Sequence, residues 1–481
     1  MLPEELLNIK PPTTLDEALQ IIQQQQDIIQ LLSKRIEDLE EQLNTGSDNS
    51  STPPSQDSPK QRAERRTKTK SDKKKGAQRG HRKHERALWD EEKVDFIERY
   101  YPPAQCTCGG RIEIMSTPDQ RHQVFDLPEV KPIVTEHQRY RGVCQCCGAE
   151  HKSAYPDTVP SGQMGSGLIS WISLLNGGYR LSLRQVQRLL GEQWGLAFSL
   201  GAISESQGKI NDWLQPVYAQ IGEAVRQSAV AHADETSHYR NTSQYWLWVL
   251  CDDQAVYLMT HYSRGKTAAN ELLGDFNGIL ITDRHGGYND YPDEQHQYCW
   301  AHVIRNLERI AQRKGEAGEI GERLVRLARL VFRIDHAYQR QITREAHYRS
   351  RMKRLRDIFQ QTLRTGIELP QAEKTVNQCQ KLLHDEPLLW TFLKESPGVI
   401  PLTNNTAERA IRPYVIWRKT SFFSQSYQGD QFRPMILSVL ETCKRQAISG
   451  YGVLREICTQ GLAGKSINVP LFSERLSALP A

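Results

Sequence analysis

S-A-V-A-H-A-D at residues 228–234 and G-I-L-I-T-D at 278–283 decide how this chain folds. Each is a short apolar run that stops on an aspartate, the pattern of a buried strand whose last residue reaches a sheet edge. Three further strand-like runs accompany them: Q-Y-W-L-W-V-L-C at 244–251, A-V-Y-L-M-T-H-Y at 255–262 and H-Q-Y-C-W at 296–300. Short turns join the first three strands, which are therefore expected to lie antiparallel. A helix, a strand and further helices follow, which is an α/β arrangement. In it Asp234 and Asp283, 49 residues apart, are expected side by side on neighbouring strands.

A third acid joins them. Glu408 lies in N-N-T-A-E-R-A-I-R-P at 404–413, near the start of an expected helix that Pro413 should kink or end. Two strand-end aspartates and a helix glutamate suit hard divalent cations, which take carboxylate oxygens. A pair of such ions can clamp the attacking and leaving oxygens of a phosphodiester. Each acid also has a plainer reading. Asp234 could start a turn, Asp283 could cap a loop, and Asn405 with Glu408 three residues on has the form of a capping box.

The surroundings favour a polyanionic ligand. Gly286 and Gly287 after Asp283 permit close approach, and Tyr288 is placed either to pack on a base or to fill the core. In C-W-A-H-V-I-R-N, His302 and Arg305 share a helix face, as do Arg409 and Arg412 near Glu408. Arg418 and Lys419 follow. These cations are candidates for gripping phosphate or supporting the carboxylates.

Net charge is only +5 over 481 residues, but it is uneven. Residues 60–86 hold thirteen Lys or Arg against three acids, a net +10, so the rest of the chain carries −5. Within this arm Arg65, Arg66, Lys73, Lys74 and Lys75 are expected to contact DNA phosphates. Upstream, Leu15, Ile22, Ile29, Ile36 and Leu43 recur every seven residues, with Ala18, Gln25, Leu32 and Leu39 in the second seam position. That spacing predicts a short self-associating coiled coil. No apolar run is long enough to span a membrane, and M-L-P-E-E-L-L-N-I-K is not a secretory signal, so an intracellular protein is expected.

Of ten cysteines, five cluster at Cys106, Cys108, Cys144, Cys146 and Cys147, each group beside glycine. Such pairs are expected to hold structural zinc through Cys106, Cys108, Cys144 and Cys147, with Cys146 spare. From 163 to 213 three helical patterns with N-caps at Ser182 and Ser199 fit a helix-turn-helix or a simple packing module.

D-E-T followed by W-L-W-V, I-T-D-x-x-G-G-Y, C-W-A-H-x-x-R, N-N-x-A-E-R-x-I-R-P, F-F-S-Q-S-Y-Q-G and L-E-T-C-K together resemble the insertion-sequence-66 family of bacterial transposases. The resemblance runs from the coiled coil to near the C-terminus. It implies a DDE transposase with Asp234, Asp283 and Glu408 in the metal-binding and catalytic roles, two Mg²⁺ ions (Mn²⁺ as alternative) and the zinc module. It also implies an ordered arm ending in Gly76, Gln78, Gly80 and His81. DNA, at element ends and target, is the implied partner, with a homodimer or higher oligomer and accessory proteins of the same element. A bacterial, cytoplasmic, nucleoid-associated location follows.

The expected organisation is a coiled-coil helix at 1–45, a disordered basic arm at 46–90, a zinc module at 91–160 and a helical DNA-binding domain at 161–225. A ribonuclease-H-like catalytic domain at 226–425, with a helical insertion at about 315–398, and a C-terminal helical region at 426–481 complete it. A nuclease without strand transfer and an inactive DNA-binding regulator are the rival functions. Deleting residues 60–86 should flatten the salt dependence of DNA binding, since each neutralised phosphate contributes about −0.9 to the slope of log affinity against log salt. An unchanged slope would remove the arm from the interface.

Overall fold

The computed structural model describes residues 14–43, 63, 86–156, 159–370 and 372–472. Arg65, Arg66, Lys73, Lys74 and Lys75 and the Gly76–His81 segment lie outside the described residues. The chain divides into two units, Ala63–Thr135 and the combination of Met1–Arg62 with Glu136–Ala481.

In the unit Ala63–Thr135 most described residues belong to neither helix nor strand. Trp89 meets Phe125 edge-on at 4.9 Å, and Gln123 both accepts from Trp89 N and donates to Trp89 O. Cys106 and Cys108 occupy a tight turn in which Gly109 N donates to Cys106 O and Cys106 N to Gly110 O. Gly109 takes φ +89°, a conformation that favours glycine.

The larger unit begins with α1 (Leu15–Leu43), whose seam residues Leu15, Ile22, Ile29 and Ile36 are at least half exposed. Among the described residues nothing covers this apolar stripe. A small hairpin of β1 (Arg141–Val143) and β2 (Glu150–Lys152) brackets the second cysteine turn. There Gly148, at φ +71°, donates from its N–H to Cys144 O.

Helices α2 (Ser166–Ser173), α3 (Leu183–Trp194) and α4 (Leu200–Arg226) follow. Ser182 caps α3 in a complete capping box with Gln185, and Ser199 caps α4, as the sequence predicts. These helices share one core with the sheet: Val186, Leu190, Ile210, Leu214 and Val217 are buried in the cluster that contains Trp248 and Leu258. Tyr218 Oη donates to Leu258 O at 2.8 Å, fastening α4 to β5.

The sheet has five strands in the order β5-β4-β3-β6-β7. β3 (Val230–Arg240), β4 (Ser243–Cys251) and β5 (Val256–His261) pair antiparallel. After α5 (Lys266–Leu273), β6 (Ile279–Thr282) and β7 (His296–Tyr298) add in parallel on the other side of β3. All five predicted strands form. The correction concerns β3, which does not end at Asp234. It continues to Arg240 because T-S-H-Y-R pairs with β4 through to the hairpin, Arg240 opposite Ser243.

Helices α6 (Trp300–Ala311), α7 (Gly315–Gln339), α8 (Glu345–Ile367), α9 (Glu373–His384) and α10 (Glu386–Leu389) build a second core around Trp300, Leu324, Met352, Phe359 and Trp390. The long segment between Asp283 and Glu408 is thus helical with its own packing. The chain returns to the first core through α11 (Asn405–Ser421), α12 (Tyr427–Arg445) and α13 (Gly450–Leu462). α11 runs through Pro413 to Ser421, contrary to expectation. Tyr414 and Trp417, both buried beyond the proline, hold the second half in place.

The close approach of α7 to the end of α6 is testable. A Cβ on Gly321 would lie 2.2 Å from Ala311 N and 2.5 Å from the carbonyl carbon of Ile310, backbone that cannot swing aside. Gly321→Ala is expected to cost about 1–3 kcal/mol through overpacking, seen as a lowered denaturation midpoint. An unchanged midpoint would contradict this packing.

Candidate active site

The register of β3 against β6 sets the site. Val230 pairs with Ile279, Ala231 with Leu280 and His232 with Ile281, an offset of 49 residues. Asp234 and Asp283 each lie two residues beyond the last pair, and the charge of Asp283 reaches the Asp234 carboxyl. The parallel pairing stops at His232 while β3 continues along β4, so Asp234 stands where the sheet opens. Crevices beyond the carboxyl ends of parallel strands are where such sheets bind ligands.

Asn404 brings the third acid. It is the residue at the N-cap of α11, yet its side chain makes no capping bond. Instead Asn404 Nδ2 donates to Ala233 O at 2.7 Å, and Oδ1 lies 3.1 Å from His232 Nδ1. The start of α11 is thereby fixed to β3 beside Asp234. The expected capping box between Asn405 and Glu408 does not form, because the helix starts one residue earlier and Asn404 serves the strand. The Glu408 carboxylate is left turned toward His302, with Oε1 at 3.7 Å from Nε2.

The three acids feel one another. The Asp234 carboxyl is pushed well above the usual range, first by burial, then by the charges of Glu235, Asp283 and Glu408. Asp234 Oδ1 accepts from Glu235 N at 2.9 Å, and Asp283 Oδ1 from His285 N at 2.9 Å. Among the described residues, no group of three or more His, Cys, Asp or Glu is closed into a metal-holding cluster.

His302 stands in the same neighbourhood. Burial lowers its pKa, while Asp283 and Glu408 raise it and Arg305 lowers it. Its Nδ1 is buried and has no hydrogen-bond partner among the described residues. Arg409 and Arg412 are exposed on α11, as is Lys419. Arg418 differs: its Nη1 donates to Thr236 Oγ1 at 2.9 Å and to Ser237 O, so it acts as a strut between α11 and β3. Tyr288 is also settled. It is buried, edge-on to Trp248, with its hydroxyl 3.3 Å from Glu235 Oε2, and so belongs to the core rather than to a ligand face.

Sequence reasoning passed over Glu235, Arg264 and Asn404. Glu235 is buried beside the acids and receives Arg264 Nε and Nη2 at 3.1 and 3.0 Å. Burial and the charge of Asp283 raise it to about 7, against the pull of Arg264. The signal available was the doublet form of D-E and N-N, in which one residue faces each way. Arg284, next to Asp283, pairs with Asp385, tying the end of β6 to the helical segment.

Comparison with known proteins follows the same residues. A transposase family model that covers the sheet and the helices around it puts the chain in the transposase class. The model described as "Transposase IS66 family" matches residues 161–431, more than half of the chain, and the chain belongs to that family. A second model, the zinc-finger binding domain of transposase IS66, matches 103–148, and a family of unknown function (DUF6444) matches 9–87. Uncharacterized protein y4hP of Sinorhizobium fredii (strain NBRC 101917 / NGR234) is 24% identical over 404 residues, covering 76% of this chain and 72% of its own length. Uncharacterized protein y4jD of the same strain is 22% identical over 405 residues, covering 78% of each. A transposase with a zinc-finger domain implies a DNA-binding protein and supports structural zinc. No helix among the described residues is long and apolar enough to cross a membrane.

His296 on β7 offers a pH test. It is buried, 2.8 Å from Thr282 Oγ1 beside Asp283, and burial lowers its pKa to about 3. The unfolded chain therefore takes the proton first, and stability from this residue is lost as pH falls from about 6.5 toward 3. His296→Gln should flatten the fall in unfolding free energy between pH 6.5 and 4 by about 3 kcal/mol. An equally steep fall in the variant would contradict the burial.

Proposed function

We propose that this chain cuts and joins DNA at the ends of a mobile element, with Asp234, Asp283 and Glu408 as the acids that hold divalent metal. One observation supports the reading: the charges of Asp283, just after β6, and of Glu408, in the first turn of α11, both act on the Asp234 carboxyl of β3, although 49 and then 125 residues separate the three in sequence. The strand order, three antiparallel strands followed by two parallel ones, supports a ribonuclease-H-like core.

The donor set suits magnesium or manganese. Burial and then the charges of neighbouring acids raise Asp234, and carboxylates of this kind take hard cations through oxygen. A pair of such ions, when bound, supplies positive charge to the attacking and leaving oxygens of a phosphodiester. Asp234 and Asp283 each keep one oxygen on a backbone N–H, which leaves the other for a ligand. Rotation of the Glu408 side chain away from His302 would complete the set.

The protein's own part is to position. Arg264 and Tyr288 fix Glu235 behind the acids, and Asn404 fixes α11 to β3. Arg305, Arg409 and Arg412 offer charge to phosphates beside the opening. In the first reaction a water oxygen attacks phosphorus, the bond to the 3′ oxygen breaks, and that oxygen takes up the proton. The resulting 3′-hydroxyl attacks a phosphodiester of the target, forming one bond and breaking another with no covalent protein intermediate.

The zinc ligands we assign are Cys106, Cys108, Cys144 and Cys147. In each turn the second thiol directly precedes the glycine at positive φ, which favours Cys147 over Cys146. Backbone N–H bonds from Cys108 and from Cys147 lower the Cys106 and Cys144 thiols, favouring the thiolates that zinc needs. The exposed seam of α1 supports pairing of two copies through a coiled coil.

A plasmid carrying the element ends tests the reading. The wild type should give Mg²⁺-dependent cut and joined products. Asp283→Ala should give neither while still binding the ends. Cutting without joining would leave a nuclease, and full activity of the variant would discard the assignment.

A further inference from the structure

The turn after α11 carries a feature the acids do not use. Phe422 and Phe423 both sit at positive φ, +51° and +68°. Bulky residues seldom adopt this left-handed backbone, and two in succession are held there only by their surroundings. Those surroundings are visible. Phe423 N donates to Arg418 O, Ser424 N to Tyr239 O, Asn241 N to Ser424 O, and Arg433 Nη2 to Phe423 O, all at 2.9–3.2 Å. The Phe423 ring packs edge-on against Tyr239 at 5.0 Å. Phe423 is the anchor, and Phe422 is what the turn presents: it is 80% exposed and makes no ring contact among the described residues.

The helix face leading to Phe422 is basic. Arg409, Arg412, Ile416 and Lys419 recur at intervals of three and four and are exposed. No acid in 405–428 is exposed: Glu408 is half-buried at the far end. The flanks of Phe422 are mostly polar, with Lys419, Thr420 and Gln425 exposed alongside the aromatic Tyr427 and the aliphatic Ile416. A protein partner would want apolar neighbours here, whereas a nucleic-acid strand wants cations around an aromatic face.

α11 runs along β3. Asn404 meets Ala233, Arg418 meets Thr236, and Ser424 meets Tyr239. At about 1.5 Å per residue, Phe422 stands about 21 Å along the helix from Glu408. That is about six steps of a DNA strand at ~3.4 Å each.

We propose that Phe422 stacks on an unpaired DNA base about six nucleotides from the acid cluster, with Arg412 and Lys419 holding the flanking phosphates. The proposal rests on the DNA-cutting reading above. The ring takes any base by its π-face, so the contact selects unpaired structure rather than sequence. The strained turn fixes the ring outward before DNA arrives, so little ordering remains to be done on binding.

The test uses the full-length protein and two duplexes of the same sequence, one fully paired and one with a single extrahelical 2-aminopurine. The wild type should bind the second about 5- to 150-fold more tightly, the range one base–aromatic stack supplies, and quench its fluorescence. Phe422→Ala should lose both the preference and the quenching, and Phe422→Trp should keep them. Phe422→Gly suits the left-handed backbone and so folds without strain, and it should behave like the alanine variant. Retention of the preference by the alanine and glycine variants overturns the proposal. Equal binding of both duplexes by the wild type overturns the stacking role and leaves the DNA-cutting reading standing. Binding of neither duplex removes both.

Discussion

The parallel pairing of β3 with β6 is the constraint on which the site depends. A strand register has period two, so a slip of one residue would turn every side chain to the opposite face. Val230 opposite Ile279 therefore sets which faces the residues leading to Asp234 and Asp283 present. The apolar runs V-A-H-A and I-L-I-T enforce that register by burying Ala231, Ala233, Leu280 and Ile281. Sequence separation is then irrelevant, and 49 residues of hairpin and helix become a detour between neighbours.

Burying a carboxylate near other acids opposes folding, and the Asp234 carboxyl is raised first by burial and then by the charges of Glu235, Asp283 and Glu408. The surrounding structure supplies the compensation. Asn404 satisfies Ala233 O and His232 at once, Arg264 neutralises Glu235, and Arg284 reaches Asp385. At the other end of β3, Tyr414, His238 and Asp430 form a buried chain of hydrogen bonds joining α11, β3 and α12. Both ends of α11 are thus fastened to the same strand, which makes the helix a rigid bar from Glu408 to the strained turn at Phe422.

Much of this was legible in the sequence. All five strands and the caps at Ser182 and Ser199 follow from periodicity and cap chemistry. The parallel pairing of the segments that lead to Asp234 and Asp283 follows from two apolar runs of matching length. What was not legible depended on tertiary contact. T-S-H-Y-R has no apolar face, so the extension of β3 shows only through its pairing with β4. Asn404 and Asn405 look alike as caps, and only the strand beside them decides that Asn404 turns away from the helix. Pro413 stays inside α11 because Tyr414 and Trp417 are buried behind it. Arg418 and Tyr288 carry side chains suited to DNA, yet the strand and the core claim them.

The proposed divalent-metal site draws on Asp234 of β3, Asp283 just after β6 and Glu408 of α11. Iron-directed cleavage of the polypeptide reads this without reference to activity on DNA. Fe²⁺ substituted for Mg²⁺ generates hydroxyl radicals locally when ascorbate and peroxide are added. The account predicts backbone cuts at three places, near residues 234, 283 and 408, suppressed by excess Mg²⁺. Cuts confined to one of these places, or none suppressed by Mg²⁺, would contradict it.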